Sequence, residues 1–396
     1  MAGINLSDRK ETLFLEALGS PVIDMNNLRK LCSTGIVETC GIRTICWRLL
    51  LNCLPKQRTK WPEALEKQRC EYQQFLNEMI IEPGLKRCNA APGLDDHPLN
   101  PNPTSEWNSY FKDNDILLQI DKDVRRLCPD IAFFQNATAY PCEPLVSPTS
   151  RLENLRKRVE RSVLSSQNLT RKRLGISNLI SSRKQASREY DTLEEGQEAH
   201  WEVVERILFI YAKLNPGTAY VQGMNEIIGP LYYTLASDPN LEWKEHAEAD
   251  TFFCFTNLMG EIRDNFIKSL DKSGSGIEAS MNRVLCLLRQ VDPEVWLRLD
   301  SLAIKPQFYL FRWITLLLSQ EFSLPDVIHI WDILFSDSRR FDFLIAVCSA
   351  MIILLRDEIL TRDFSHNMKL LQNYPLRIDV NTIISKAKEI YHNLRN

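Results

Sequence analysis

The chain has 396 residues, 44% hydrophobic and 25% charged, an ordinary globular composition that can bury a substantial core. A formal net charge of -3 argues against a globally basic nucleic-acid binder and leaves only local patches to consider. Eleven cysteines, at 32, 40, 46, 53, 70, 88, 128, 142, 254, 286 and 348, form no CxxC pair, and six scattered histidines form no HExxH cluster; this pattern fits free thiols in a reducing compartment.

From the N-terminus, MAGINLSDRKETLFLEAL mixes charges with apolar residues and lacks the continuous apolar run of a signal peptide. Trp47, Leu50, Leu51 and Leu54 then recur at spacings of three and four, which predicts a helix. Gly84 to Asn108, with PGL and HPLNPNP, reads as an extended loop. Leu117, Ile120, Val124 and Leu127 restore the helical stripe, and Pro129 stops it. Pro144 to Gly196 is the most unusual stretch. Eleven Lys/Arg between Arg151 and Arg188 outnumber the acidic residues among many Ser, Asn and Gln. A solvated, partly disordered insertion is expected there, with room for one short helix over 152–164. The same basic run could touch an anionic membrane or an acidic partner.

Beyond the insertion, Val204, Ile207, Leu208 and Tyr211 define a helix over 201–214, and Pro216-Gly217 marks a turn. Ser273-Gly274-Ser275-Gly276 reads as a flexible turn, and helical patterns resume over 304–318 and 327–335. The apolar run Phe343 to Leu355 is shorter than the roughly 20 residues that span a bilayer and reads as a buried helix. Period-2 runs with hairpin turns are absent, as is a GxxxxGK[ST] loop. The expected fold class is all-α, without a P-loop nucleotide site.

Three segments could carry chemistry. In Gly41-Ile42-Arg43-Thr44-Ile45-Cys46-Trp47, Arg43 and Trp47 stand at i,i+4, where a guanidinium can lie near an indole; a helix-packing pair is the preferred reading. In Ile120-Asp121-Lys122-Asp123-Val124-Arg125-Arg126, Asp123 is placed to hold Arg126 on the next helical turn, with Arg126 at the helix end. In Tyr220-Val221-Gln222-Gly223-Met224-Asn225-Glu226, Gln222 falls beside a helix start, before a glycine that permits close backbone approach.

In this order, RxxxW (Arg43, Trp47), IxxDxxR (Ile120, Asp123, Arg126) and YxQ (Tyr220, Gln222) resemble the signatures of the TBC domain of Rab GTPase-activating proteins. YVQGMNEI is especially close to the family's wording. Phe311-Arg312-Trp313, Gln320-Glu321-Phe322 and Trp331-Asp332 resemble its C-terminal half. The long gap between the second and third signatures, with HPLNPNP and HWEVVERILFIYAKLNP, resembles one subgroup of that family.

The resemblance implies a helical leader over 1–31, a Rab-GAP TBC domain over 32–360 with insertions near 84–108 and 144–196, and a helical extension over 361–396. It also implies two helical subdomains forming a V-shaped groove for a GTP-bound Rab-family small GTPase. Arg126 would be an arginine finger and Gln222 a glutamine finger, with Asp123, Tyr220, Arg43 and Trp47 in support. GTP and Mg²⁺ would belong to the partner, so no cofactor is expected. The implied protein is a cytoplasmic monomer acting transiently at Rab-bearing membranes in vesicle trafficking. It needs no nucleic acid and no transmembrane segment. The alternatives are a catalytically silent Rab-binding scaffold and a membrane-recruited adaptor working through the basic insertion.

Overall fold

A computed structural model describes residues 6–80, 105–146, 154–162, 193–194, 196–267 and 276–393. Most of the loop expected over 84–108, most of the insertion over 144–196, and Ser273 to Ser275 lie outside the described residues. Among those described, helices carry the fold. Extended pairing is limited to two isolated bridges, Val22 with Gln57 and Ala137 with Ala199. The chain is all-α, and it divides into two compact units: residues 1–68 together with 226–396, and residues 69–225.

In the first unit, the Leu6–Gly19 and Met25–Cys32 helices occupy the expected leader. Asp24 caps the second of them by accepting from the Asn26 and Asn27 amides, which otherwise lack intrahelical partners. Trp47, Trp313 and Trp331 are fully buried. The Arg340–Ile353 helix is buried almost throughout and packs on the Val380–Asn393 helix, which explains why its sequence lacks a polar face. No described helix is long and apolar enough to cross a membrane.

The second unit is built around the Glu106–Val124 and His200–Leu214 helices, packed on one another. Ser105 caps the first, its hydroxyl accepting from the Trp107 amide, so helix already occupies 106–108 where a loop was expected. The His200–Leu214 helix is buried from His200 to Ala212, well beyond the four-residue stripe read from its sequence.

Part of the basic insertion forms the short helix for which 152–164 left room. Residues 155–162 are helical. Leu155 and Val159, four apart, are buried, and between them Arg158 is only 1% exposed. Its Nε donates to Asn114 Oδ1 (2.6 Å) and its Nη2 to the Tyr110 carbonyl (2.8 Å), while the guanidinium lies 3.7 Å from the Tyr110 ring centroid. A basic residue that looks solvated by composition is thus a core residue, because its donors are met and its face is stacked.

Candidate functional site

The Glu106–Val124 helix ends one turn earlier than its sequence suggests. Ile120, Val124 and Leu127 are fully buried and hold its end, yet Arg125 is already the C-cap. The Arg126 amide bonds the Asp123 carbonyl (3.2 Å) and the Leu127 amide the Val124 carbonyl (3.1 Å), tightening the exit to three-residue turns. Cys128 follows with φ of 44° and turns the backbone away.

This geometry separates the two adjacent arginines. Arg125 is committed: its Nε donates to Asp121 Oδ1 (2.8 Å), and its guanidinium lies 4.7 Å from the Trp201 ring centroid. Arg126 is exposed, and among the described residues its side chain has no hydrogen-bond or ion-pair partner. The expected Asp123–Arg126 ion pair does not form. Arg126 is off the helix, so i,i+3 spacing no longer brings the two side chains together, and Asp123 is engaged elsewhere.

Its partner is Tyr220, 97 residues away in sequence. The Tyr220 hydroxyl donates to Asp123 Oδ2 (2.8 Å), and Asn225 Nδ2 donates to the Asp123 carbonyl (3.4 Å). The 220–225 loop is thereby tied to the exit of the Glu106–Val124 helix. Gln222 lies exposed in the turn before the Met224–Ala236 helix, and its side chain has no partner among the described residues. Gly223, with φ of 102°, takes a conformation that a side chain would strain. Arg126 and Gln222 each lie within three residues of the Tyr220–Asp123 bond. Asn225, which completes that tie, was passed over as a site residue although it stands in the YVQGMNE segment. Replacing Tyr220 with phenylalanine is expected to lower stability by about 1.5–3 kcal/mol, as for a lost hydrogen bond to a carboxylate, measured by urea unfolding.

Behind Arg125 lies a buried polar layer. Arg206 pairs with Glu198, and Arg156 Nη1 reaches Glu202 (3.3 Å). Glu205 is fully buried, and neither carboxylate oxygen has a donor among the described residues. Burial, reinforced by the Asp121 charge and opposed by Arg125, pushes its carboxyl well above the usual glutamate range. Burial raises Asp121 and Glu202 as well. A carboxyl whose folded pKa exceeds its unfolded value binds more protons when folded, so stability falls as pH rises between those two values. Glu205→Gln is therefore expected to raise the unfolding midpoint at neutral pH. The gain should vanish once pH drops below the unfolded glutamate pKa of about 4.3, as checked by urea unfolding across pH.

Arg43 and Trp47 lie in the other unit, where they share an acceptor instead of stacking. Arg43 Nε donates to both Asp332 oxygens (3.2 and 3.3 Å), Trp47 Nε1 to Oδ1 (2.8 Å), and the Ile36 amide to Oδ2 (3.0 Å). Asp332 is fully buried; burial raises its pKa, opposed first by Arg43 and then by these hydrogen bonds. Trp47 also packs edge-on against Phe335 (5.2 Å). Asp332 is thus the hub of this cluster, and the Trp331-Asp332 dipeptide gave no local sign of that role.

The sequence profile of the Rab-GTPase-TBC domain matches residues 146–360, a span that includes Tyr220, Gln222 and Asp332. The chain belongs to the family that this domain defines. It is 59% identical over 386 residues to TBC1 domain family member 13 of Mus musculus, covering 95% of this chain and 96% of that protein. It is 35% identical over 436 residues to TBC domain-containing protein C1952.17c of Schizosaccharomyces pombe, covering 93% and 70%. The fold matches the Ypt/Rab-GAP domain of Gyp1p with a TM-score of 0.68 at 21% identity, over 99% of this chain and all of that one.

Proposed function

We propose that this protein accelerates GTP hydrolysis by a GTP-bound Rab-family GTPase, with Arg126 as the arginine finger and Gln222 as the glutamine finger. The observation that carries this reading is the Tyr220–Asp123 hydrogen bond. It ties together two segments that each expose a polar side chain with no partner among the described residues. Family membership supplies the partner class. GTP and Mg²⁺ arrive with the GTPase, as its substrate and metal.

Each residue type suits its role. A guanidinium offers positive charge and a planar fork of donors to the oxygens of a transferring phosphoryl group. A carboxamide donates and accepts at once, so it can hold a water between nucleophile and phosphate. Asp123 and Tyr220 are positioning residues, since they fix the two backbone segments and not the reacting atoms. Arg43 and Trp47 act through Asp332 on the core of their own unit. Such an activator works in the cytoplasm and transiently at the Rab-bearing membranes of vesicle traffic.

Single-turnover GTP hydrolysis across a panel of Rab proteins tests this directly. One or a few Rabs should be accelerated, and Gln222→Ala should reduce that acceleration about a hundredfold or more, the usual cost of losing one preorganised polar contact to the transition state. Binding to a GTP-loaded Rab without acceleration of any member would overturn the catalytic reading and leave a scaffold.

A further inference from the structure

Within the unit formed by residues 1–68 and 226–396 there is an open cleft of about 520 Å³. That size falls in the range of small-molecule sites. Arg29, Lys30, Lys388 and His392 line it, against a single acid, Asp337. With His392 neutral, the wall carries three positive charges against one negative. Tyr391 also lines the cleft, but it is buried and packed edge-on against Phe343 (5.5 Å), so it forms part of the floor.

Two of the cations are held in place without spending all their donors. Arg29 Nη1 bonds the Phe335 and Ser336 carbonyls (3.2 and 3.1 Å), covering the negative end of the Leu324–Ser336 helix and leaving Nε and Nη2 available. Lys388 Nζ spends one of three donors on the Ser33 carbonyl (2.7 Å). Lys30 and His392 are exposed at the rim, and their side chains have no partner among the described residues. Burial, and then the like charge of Lys10, hold the Lys388 ammonium below the usual lysine value. An anion beside it would relieve both effects.

We infer that this cleft binds a polyphosphorylated cyclitol or sugar, its phosphates on Arg29, Lys30, Lys388 and His392. The ligand could come as a lipid headgroup or as a free phosphate ester, and the cleft shares no residue with the site proposed for GTPase activation. Titration of the full chain with inositol trisphosphate, followed by calorimetry, should give saturable binding. The double variant Lys30→Glu/His392→Glu should weaken it at least about tenfold, from one charge reversal and one added negative charge at the rim. Neither residue is placed in the GTPase-activating site, so Rab activation by the variant should be unchanged. A second arm measures co-sedimentation with phosphatidylcholine vesicles doped with phosphatidylinositol bisphosphate, against vesicles of equal charge made with phosphatidylserine. Binding in both arms, selective for the inositide, would identify a headgroup; binding of inositol trisphosphate alone would identify a soluble ester. Absence of saturable binding of inositol trisphosphate, equal affinity in the double variant, or recruitment to phosphatidylserine vesicles equal to that on inositide vesicles where both recruit the protein would overturn the inference.

Discussion

Arg126→Ala is expected to lower the protein's acceleration of Rab GTP hydrolysis by about 10³-fold or more, the contribution typical of an arginine supplied in trans. At about 1.4 kcal/mol per decade, that is roughly 4 kcal/mol of barrier or more. Arg126→Lys should recover little, because an ammonium keeps the charge but loses the planar fork. The stability change should be small, within about 0.5 kcal/mol, since the side chain is exposed and makes no contact that folding depends on. Arg125→Ala should behave the opposite way. It breaks the pair with Asp121 and the stacking on Trp201, so unfolding should come at lower denaturant while GTPase activation persists. Single-turnover hydrolysis and urea unfolding of both variants separate these patterns. Full activation by Arg126→Ala would rule that residue out as the finger.

Asp332→Ala should be the most damaging single change to the fold of its unit, costing about 3–5 kcal/mol, as when one partner of a buried charge pair is removed. It would leave the Arg43 guanidinium, the Trp47 indole N–H and the Ile36 amide without their shared acceptor. Asp332→Asn keeps an acceptor oxygen for Trp47 but no charge for Arg43, so an intermediate loss is expected. Arg43→Ala should be partly additive at most, because both residues belong to one network. Urea unfolding of the three variants checks the order, and a loss below about 1 kcal/mol in Asp332→Ala would mean that packing around Trp47 carries the cluster without it.

These two residues also mark what could be read in advance. Helix-period patterns located several of the described helices, among them His200–Leu214 and Leu324–Ser336, because apolar stripes at three- and four-residue spacing are a local property. The IxxDxxR register points to Arg126 through the family resemblance, and the Asp121 and Trp201 contacts of the neighbouring Arg125 are compatible with that proposal. The partner of Asp123 was misread for a definable reason. An i,i+3 spacing promises contact only while the helix continues, and this helix ends at Val124. The true partner, Tyr220, is 97 residues distant, and no local pattern records such a pairing. Asp332 was opaque for the same reason, its donors coming from residues 36, 43 and 47. Arg158 was hidden by composition: within a basic run, only the apolar Leu155 and Val159 beside it hint that it is buried.

The division of the chain bears on how it is made. The unit holding Arg126 and Gln222 is one continuous stretch, 69–225, whereas the other is assembled from segments on either side of it. Trp47 and the carboxylate it bonds are 285 residues apart. At a synthesis rate of about 5–20 residues per second, the N-terminal segment waits roughly 15–60 s on the ribosome for Asp332 to be translated, with an apolar surface meant for the core still open. The contiguous unit can complete its contacts during that interval. Nascent chains halted between residues 225 and 332 should therefore carry a completed 69–225 unit together with an unfinished one, the state in which a chaperone would be needed.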